Sequence, residues 1–371
     1  MKNRIVFLVA LVFSVNLYSQ TTYVFFGSYN RDTSADGLYV YSLDTLTGTL
    51  SKISTNNSVF NPTYFTLSPN GKFLYACTES QTKNAGSVSS YEFNAEKGML
   101  TFLNSQKSGG ENPVYLAVNK SGKWLVNGNY TEGSISVYSL SEDGKINPIT
   151  QIFQFTEGSI NPKRQDRAHI HSVIFSPEQD YIFFPDLGAD KIRFFQFYGL
   201  KTQPLQNENF IKSTIGSGPR HLTFHPNGKF AYCIEELGGA VSVFKYSNGK
   251  LDSIQRIITH PKDYTGFVMS ADIHISPDGK FLYGSNRGDQ NNISIFSINE
   301  DGTLESIGYQ SSLGIHPRIF AIDPSGHFLI VTNMISGNVF VFKRNIKTGS
   351  LEKVGNEVKI NNVSCVQIKR Y

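Results

Sequence analysis

The stretch from residue 216 to residue 244, GSGPRHLTFHPNGKFAYCIEELGGAVSVF, contains one complete structural unit. The run LTFHP alternates apolar and polar residues, PNGK at 226–229 is typical of a turn, and FAYCI is a second apolar run. A further turn at 237–239 leads into a third run, AVSVF. The stretch therefore predicts a meander of three antiparallel strands.

The same pattern recurs in copies that begin at Asn61, Asn112, His169, Ser270 and His316. Equivalent positions lie 47 to 57 residues apart, which suits a four-stranded sheet per repeat and is too long for solenoid units of roughly 20 to 35 residues. Runs equivalent to AVSVF number seven along the chain, from GLYVYSL at 37–43 to NVFVFKR at 338–344. These observations predict an all-β fold, a seven-bladed β-propeller with four-stranded antiparallel blades.

The two ends of the chain are expected to share one blade. The first repeat, from Tyr23 to about Ile53, has three predicted strands and lacks the innermost one. The run VSCVQI at 363–368 has no other partner. If this C-terminal strand joins the N-terminal blade, the ring closes and no sheet edge is left open.

Residues 1–19 have the features of a secretory signal peptide. Lys2 and Arg4 precede the apolar run 5–15, and the small Ser19 follows. A retained membrane anchor is the alternative, but the run is shorter than the roughly 20 residues of a spanning helix. We therefore predict a signal peptide at 1–19, a propeller domain at 20–371, and a periplasmic or secreted protein without stable membrane insertion.

Composition narrows the classes of partner. The formal net charge is +4 over 371 residues, and no Lys/Arg cluster recurs on one predicted element, so we expect no nucleic-acid partner. The three cysteines lie in strand-like runs, and their odd number argues against a disulfide framework. We expect buried thiols and a monomer.

Two columns of residues appear when the repeats are aligned on their turns. The column at the start of the innermost strand contains Thr63, Val114, His171, Arg220, Ala271 and Arg318. The column just past the second strand contains Glu79, Tyr130, Leu187, Glu236, Arg287 and Met334. In antiparallel neighbours the start of one strand lies beside the end of the next, so both columns should open on one face of the ring. Packing alone would repeat apolar or turn residues here, and the charged residues therefore predict a site.

The chain resembles the seven-bladed propeller lactonases, whose best-known members are 6-phosphogluconolactonases and which include a carboxy-muconate cyclising enzyme. The motifs that carry the resemblance are HIHSVIFSP, PDLGADKIRFFQF, GSGPRHLTFHPNGKFAYCIEEL and SPDGKFLYGSNRG, with FFGSYN near the start. They extend over nearly the whole predicted mature chain. The sequence departs from the family pattern at Ile319, where His is usual, and at Met334, where a polar residue is common.

The resemblance implies a catalytic set of His171, Arg220, Glu236 and Arg287. His169 is an alternative to His171, Glu235 competes with Glu236, and Arg287 has the alternative of a solvated loop charge. Further candidates for substrate contact are His169, Glu79, Tyr130, His221 and Arg318. His221 follows Arg220 on what should be the opposite strand face, which suits a packing role.

Lactone hydrolysis needs an activated water, stabilisation of the developing oxyanion and a proton for the leaving alkoxide. Glu236 suits the role of base and His171 that of its acid or base partner, while Arg220 and Arg287 suit anion contacts. The sequence has no G-x-S-x-G motif and no cysteine in a nucleophile setting, which disfavours an acyl-enzyme. We expect no cofactor. Calcium is the alternative, on the oxygens of Asn129, Asp186, Glu235 and Asn286, although two nearby arginines would oppose a cation.

Two functions of different classes follow from these residues. The first is a hydrolase of a sugar-acid lactone, 6-phosphogluconolactone by resemblance, or an unphosphorylated lactone if the protein is exported. The second is an exported propeller that binds a sugar acid or a protein without catalysis. The combination of His, Arg and Glu favours the enzyme.

Overall fold

The computed structural model describes residues 20–30, 35–78 and 86–371. The predicted signal peptide and the candidate Glu79 lie outside these ranges. Within them the chain forms seven sheets of four antiparallel strands, arranged as blades around a ring. The predicted seven-bladed β-propeller is therefore confirmed. The same ranges contain no helix that is long and apolar enough to cross a membrane.

The strands are numbered in chain order. Blade 1 contains β1 (Thr22–Ser28), β2 (Leu38–Leu43), β3 (Leu50–Asn56) and β28 (Val363–Arg370). Blade 2 contains β4 (Pro62–Leu67), β5 (Phe73–Thr78), β6 (Ser87–Asn94) and β7 (Met99–Lys107). Blade 3 contains β8 (Pro113–Val118), β9 (Trp124–Asn129), β10 (Ser134–Leu140) and β11 (Ile146–Gln154). Blade 4 contains β12 (Ile174–Phe175), β13 (Tyr181–Asp186), β14 (Lys191–Phe197) and β15 (Leu205–Lys212).

The remaining three blades follow the same order. Blade 5 contains β16 (Pro219–Phe224), β17 (Phe230–Glu235), β18 (Ala240–Ser247) and β19 (Lys250–Ile258). Blade 6 contains β20 (Ser270–Ile275), β21 (Phe281–Asn286), β22 (Asn292–Ile298) and β23 (Leu304–Ser311). Blade 7 contains β24 (Pro317–Ile322), β25 (Phe328–Asn333), β26 (Asn338–Arg344) and β27 (Leu351–Lys359).

The C-terminal strand closes the ring, as predicted. β28 pairs antiparallel with β1 and supplies the innermost strand of blade 1. Val363, Cys365 and Val366 on β28 are at most 1% exposed. The backbones of Thr21 and Tyr371 exchange hydrogen bonds of 3.1 and 2.9 Å, so the two ends of the described chain lie side by side.

Amide side chains fasten neighbouring blades to each other at their outer edges. Gln151 on β11 donates to the carbonyl of Leu205 and accepts from its backbone N–H. Gln255 and Leu304 make the same pair between blades 5 and 6. Asn356 repeats this contact from blade 7 to blade 1 by bonding both backbone groups of Leu50. Each side chain satisfies two backbone groups that would otherwise lack a partner at the start of an outermost strand.

A β-bulge at the start of the innermost strand recurs around the ring. In β4, β8, β16 and β24 the pairing skips the residue directly after the first proline. The skipped residues are Thr63, Val114, Arg220 and Arg318, and in β20 the skipped pair is Ala271 and Asp272. Bulges redirect side chains at the edges of barrels and beside active sites. The first predicted column therefore consists largely of bulge residues.

Blade 4 departs from this pattern. Its innermost strand is reduced to Ile174–Phe175, and Ile170 forms only an isolated bridge with Asp186. The carboxylate of Asp186 accepts a bond from the backbone N–H of His169 at 2.8 Å. The Asp186 side chain thus replaces part of the backbone hydrogen bonding between the two inner strands of blade 4. The segment that contains His171 is therefore an irregular loop.

Candidate active site

A cavity of about 390 Å³, called the site cavity here, opens at the end of the ring where the innermost strands begin. Both predicted columns contribute to its wall, as do loops between blades. The lining residues are Tyr29, Asn61, Asn112, Val114, Tyr130, Arg164, His171, Glu236, Arg287, Arg318, Met334 and Asn362. Residues of both columns therefore open on one face of the ring, as the alignment of the repeats predicted.

Residues of the second column share one backbone contact. Each follows directly on the second strand of its blade, and its N–H donates to a carbonyl just before the innermost strand. These bonds join Tyr130 to Asn112, Glu236 to Gly218, Arg287 to Met269 and Met334 to His316, at 2.8 to 3.0 Å. The repeated bond holds the four side chains at equivalent heights around the site cavity.

Glu236 is the electrostatic centre of this face. One carboxylate oxygen lies 2.9 Å from Nε of Arg220 and 2.7 Å from Nη2 of Arg287. The other oxygen pairs with Nη2 of Arg164. Burial by itself would raise the pKa of Glu236, but Arg287, Arg220 and Arg164 outweigh it and hold the pKa far below its usual range. Glu236 is therefore an ionised carboxylate enclosed by guanidinium groups.

These contacts change two roles that the sequence analysis assigned. Guanidiniums already engage both oxygens of Glu236, which leaves little space for a water to be held against the carboxylate, so Glu236 is poorly suited to act as the base. Arg220 is 0% exposed and does not line the site cavity. It contacts Glu236 from behind, whereas Arg164, Arg287 and Arg318 lie on the wall of the site cavity.

Replacing Glu236 by glutamine is expected to lower the free energy of unfolding by about 3–5 kcal/mol, because buried guanidiniums would lose their carboxylate. Arg220 and Arg287 are both at most 4% exposed. Urea denaturation of wild type and E236Q measures the difference. The control is E357Q, which removes the same charge from the exposed Glu357–Lys359 pair. Equal stability of E236Q and E357Q would show that the arginines do not depend on this carboxylate.

His171 lines the site cavity, whereas His169 does not. His171 is 5% exposed, and its ring meets those of Tyr130 and His221 edge-on at centroid distances of 5.4 and 5.2 Å. Burial lowers the pKa of His171 well below its usual range, and Arg220, His221 and Arg318 add to the effect. The imidazole of His171 is therefore neutral at neutral pH.

His169 supports the wall of the site cavity. Its ring stacks on Tyr130 at a centroid distance of 4.3 Å, and its Nδ1 lies 2.8 Å from the Tyr130 carbonyl oxygen. Its Nε2 lies 3.5 Å from a carboxylate oxygen of Asp166. These contacts fix Tyr130, which does reach the site cavity. Of the two histidines in the HxH motif, His171 is the one on the wall of the site cavity.

His221 lies behind the site rather than in it. The sequence analysis placed it on the strand face opposite Arg220, but the bulge in β16 brings the two side chains together, with Arg220 Nη1 3.2 Å from His221 Nε2. Its Nδ1 lies 2.8 Å from Asp272 Oδ1. His221, a predicted substrate contact, therefore does not lie on the wall of the site cavity.

Arg164 was missed by the sequence analysis. It lies between β11 and β12, where the spacing between repeats reaches its maximum of 57 residues. This extra length was the one sequence feature that could have indicated an inserted loop at the site. Its guanidinium contacts Glu236 and, at 3.4 Å, the hydroxyl of Tyr130. The pKa of Arg164 is raised, since Glu236 and Tyr130 outweigh the cost of its partial burial. It thus adds a third cation to the wall.

Asp190 of the PDLGAD motif joins the Arg164 loop to the GSGPRH loop. Its carboxylate accepts bonds from the backbone N–H groups of Gly216 and Gly218 at 2.6 and 2.8 Å. It also accepts from Gln165, the neighbour of Arg164, at 2.8 Å. Gly218 has a φ of +59°, and a Cβ there would lie 2.8 Å from the Leu237 side chain. These motifs therefore position Arg164 and Glu236 relative to each other.

The oxygens proposed as an alternative calcium site are engaged with the protein. Glu235 pairs with Arg256 at 2.7 Å, and Asp186 pairs with Arg193 at 2.8 Å. Oδ1 of Asn129 accepts from the amide of Asn127 at 2.7 Å, and Oδ1 of Asn286 accepts from the hydroxyl of Ser270 at 2.7 Å. In the described ranges, no group of three or more His, Cys, Asp or Glu residues is arranged to hold a metal ion.

Comparison with known proteins identifies the family. The family described as lactonase, 7-bladed beta-propeller, matches residues 23–368. A 6-phosphogluconolactonase of Formosa agariphila is 43% identical over 352 residues, which cover 94% of this chain and 99% of the relative. The chain belongs to the seven-bladed β-propeller lactonase family. The predicted class of enzyme, a hydrolase of carboxylic esters, is thereby confirmed.

Other members of this lactonase family are similar over the same length. A 6-phosphogluconolactonase of Bacillus subtilis is 32% identical over 352 residues, covering 94% of this chain and 98% of the relative. The structure of the periplasmic gluconolactonase of Pseudomonas aeruginosa matches with a TM-score of 0.89 and 31% identity, covering 94% of this chain and 99% of that one. The relatives thus carry names for both phosphorylated and unphosphorylated substrates.

Proposed function

We propose that this lactonase hydrolyses a sugar-acid lactone that carries an anionic group, with 6-phosphogluconolactone as the leading substrate. The charge of the site cavity supports this proposal. Among the described residues that line it, Arg164, Arg287 and Arg318 are cationic and Glu236 is the single carboxylate. Arginine suits phosphate and carboxylate groups because its planar fork makes two parallel hydrogen bonds. The names of the relatives agree with a phosphorylated lactone.

In the proposed mechanism His171 is the general base. Its neutral imidazole accepts a proton from water as the water oxygen bonds to the lactone carbonyl carbon. The resulting oxyanion lies beside the guanidinium of Arg287, which Glu236 holds in place at 2.7 Å. Collapse of the tetrahedral intermediate breaks the ring C–O bond, and the imidazolium returns its proton to the leaving alkoxide. Water is the only reagent consumed.

Substrate charge assists this role of His171. Its pKa is low in the free enzyme because cations surround a buried ring. An anionic substituent and the developing oxyanion are opposite charges within the same site, and both raise the pKa of a nearby imidazole. The basicity of His171 thus increases when substrate is bound, and Glu236 is left to orient the arginines.

Side-by-side kinetics on three lactones test the substrate proposal. We expect kcat/KM to be highest for 6-phosphogluconolactone, lower for the carboxylate-bearing glucarolactone, and lowest for neutral gluconolactone. The preference should shrink as salt screens the arginines. Initial rates are corrected for spontaneous hydrolysis. Equal or reversed values of kcat/KM would reject the anionic substrate, and turnover of no lactone above background would favour a propeller that only binds.

Export remains a proposal for residues 1–19. The Pseudomonas neighbour is periplasmic, which supports a location outside the cytoplasm. The intact mass of the protein from its native compartment tests this directly, since a cleaved chain lacks about 19 residues. Full-length protein recovered only from the cytoplasm would reject export.

A further inference from the structure

A second polar cluster lies behind the site, on the axis of the propeller. A cavity of about 430 Å³ opens there, and His221, Asp272 and His274 lie on its wall. His221 and Asp272 are each 4% exposed, whereas the side chain of His274 is 41% exposed. The ring of His221 also meets that of His171, which faces the site cavity. The cluster therefore connects the site to the opposite end of the ring.

The contacts of His221 define its tautomer. Arg220 Nη1, which lies 3.2 Å from His221 Nε2, can only donate, because a guanidinium has no acceptor. His221 Nε2 must therefore carry a lone pair, and the ring hydrogen lies on Nδ1, which donates to Asp272 Oδ1 at 2.8 Å. Burial and Arg220 lower the pKa of His221 to about 4. A neutral ring with a single tautomer is consistent with both contacts.

Asp272 is held in place by donors on both of its oxygens. Oδ1 also accepts from the backbone N–H of Ile273 at 3.0 Å, and Oδ2 accepts from that of Phe320 at 3.1 Å. His274 Nε2 lies 3.0 Å from Oδ2. Burial by itself would raise the pKa of Asp272, but His274 and His221 lower it well below its usual range. The carboxylate is thus ionised and cannot rotate without losing backbone bonds.

Arg220 is the link between this cluster and the site. Its Nη1 donates to the carbonyl of Ala271 at 2.5 Å, while its Nε lies 2.9 Å from Glu236. The guanidinium also lowers the pKa of His171. A change in its orientation would therefore alter both the arginine cluster around Glu236 and the basicity of the imidazole that faces the substrate.

We propose that Asp272 and His221 are positioning residues: Asp272 fixes the tautomer of His221, whose Nε2 lone pair holds the Arg220 guanidinium against Glu236. The arrangement resembles the use of an aspartate to orient a catalytic histidine, but here the histidine orients an arginine. This role rests on the proposed lactonase reaction. The structural contacts on which it depends can be tested without activity.

Two substitutions of His221 separate its two contacts. In H221Q the amide oxygen can take the place of Nε2 and accept from Arg220. In H221N the amide nitrogen can take the place of Nδ1 and donate to Asp272, but no acceptor reaches Arg220. We expect H221N to lower kcat by roughly 10- to 100-fold, by analogy with the outer-shell partners of metal ligands, with KM nearly unchanged. H221Q should retain most of the activity.

If H221N and H221Q lose the same fraction of kcat and the same amount of melting temperature, His221 has only a packing role and the proposal is rejected. Wild-type activity in both would reject it as well. H274N, which removes a contact to the other oxygen of Asp272 but none to Arg220, serves as a control and should lose far less activity than H221N.

Imidazole ¹⁵N NMR tests the tautomer independently of turnover. We expect His221 in the wild type to be neutral at pH 7 with its hydrogen on Nδ1, and we expect D272N to reduce the population of that tautomer. The resonance is assigned by its loss in H221Q. A hydrogen on Nε2 in the wild type would overturn the proposal even if the enzyme is active. If the protein shows the expected tautomer but has no lactonase activity, the proposed function is wrong and the positioning contacts stand.

Discussion

Replacing His171 by asparagine is expected to lower kcat by about 10²- to 10⁴-fold, the usual effect of removing a general base. His171 is the single histidine among the described residues that line the site cavity, and its neutral imidazole can accept a proton from water. Asparagine keeps a polar side chain beside Tyr130 but cannot take up that proton. Initial rates with wild type and H171N, corrected for spontaneous opening of the lactone, measure the effect.

The matched control is H225N. His225 lies in the HPNGK turn, where its Nδ1 accepts from the backbone of Asn227, and the equivalent turn residue Asn119 bonds its own turn through Oδ1. This variant should retain wild-type kcat. If H171N also retains wild-type kcat, another group is the base and the proposed mechanism is wrong.

The pH profile of the wild type provides a second measurement on His171. Its pKa in the folded enzyme lies well below the usual value, so the neutral form persists as pH falls. We expect kcat/KM, which reports the free enzyme, to stay level through about pH 6.5, where an ordinary histidine titrates. An acid limb centred near that value would show that the base is an unperturbed imidazole.

Deletion of residues 363–371 is expected to abolish the cooperative folding of the ring. The deletion removes β28, leaves one edge of β1 unpaired and removes a strand whose side chains are buried against blade 2. It also removes the Tyr371 hydroxyl that donates to Gly71 and the Ser364 hydroxyl that donates to Pro62. Exposed strand edges invite pairing with other chains, so aggregation should accompany the loss. Circular dichroism during heating and light scattering measure both effects.

Complementation provides the control for this deletion. A synthetic peptide with the sequence of residues 361–371, added to the truncated chain, should restore the melting transition in proportion to its concentration. The Asn356 contact to Leu50 remains in the truncated chain, so blades 7 and 1 stay joined at their outer edge. A truncated chain with an unchanged melting temperature would show that this outer contact is sufficient and that strand exchange is not needed.

Sequence periodicity predicted the ring because each blade repeats the same local rules. Alternating strands and glycine turns are local features, and the missing innermost strand of the first repeat left VSCVQI as its sole available partner. The alignment of the repeats also placed side chains correctly, because residues at the same position in different blades lie at the same level along the axis of the ring. Tyr130, His171, Glu236, Arg287 and Arg318 all line the site cavity for this reason.

The chemical roles were harder to predict because they depend on contacts that cross blades. Glu236 resembles a base when it is considered alone, and its weak basicity follows only from three guanidiniums that meet it in space. Arg164 belongs to no repeat. Alternation also assigned Arg220 and His221 to opposite faces, since a period of two cannot reveal a bulge that brings neighbours together.

At the recurring bulge, a side chain can be exchanged without changing the strand pairing that stabilises the blade. Because the skipped residue takes no place in the register, its side chain can change while the ladder bonds on either side remain. The same structural position contains threonine, valine or arginine in different blades, which shows how freely it accepts different side chains. Of the skipped residues, Val114 and Arg318 line the site cavity. A designer who seeks a different lactone preference should therefore vary these two together before altering any strand.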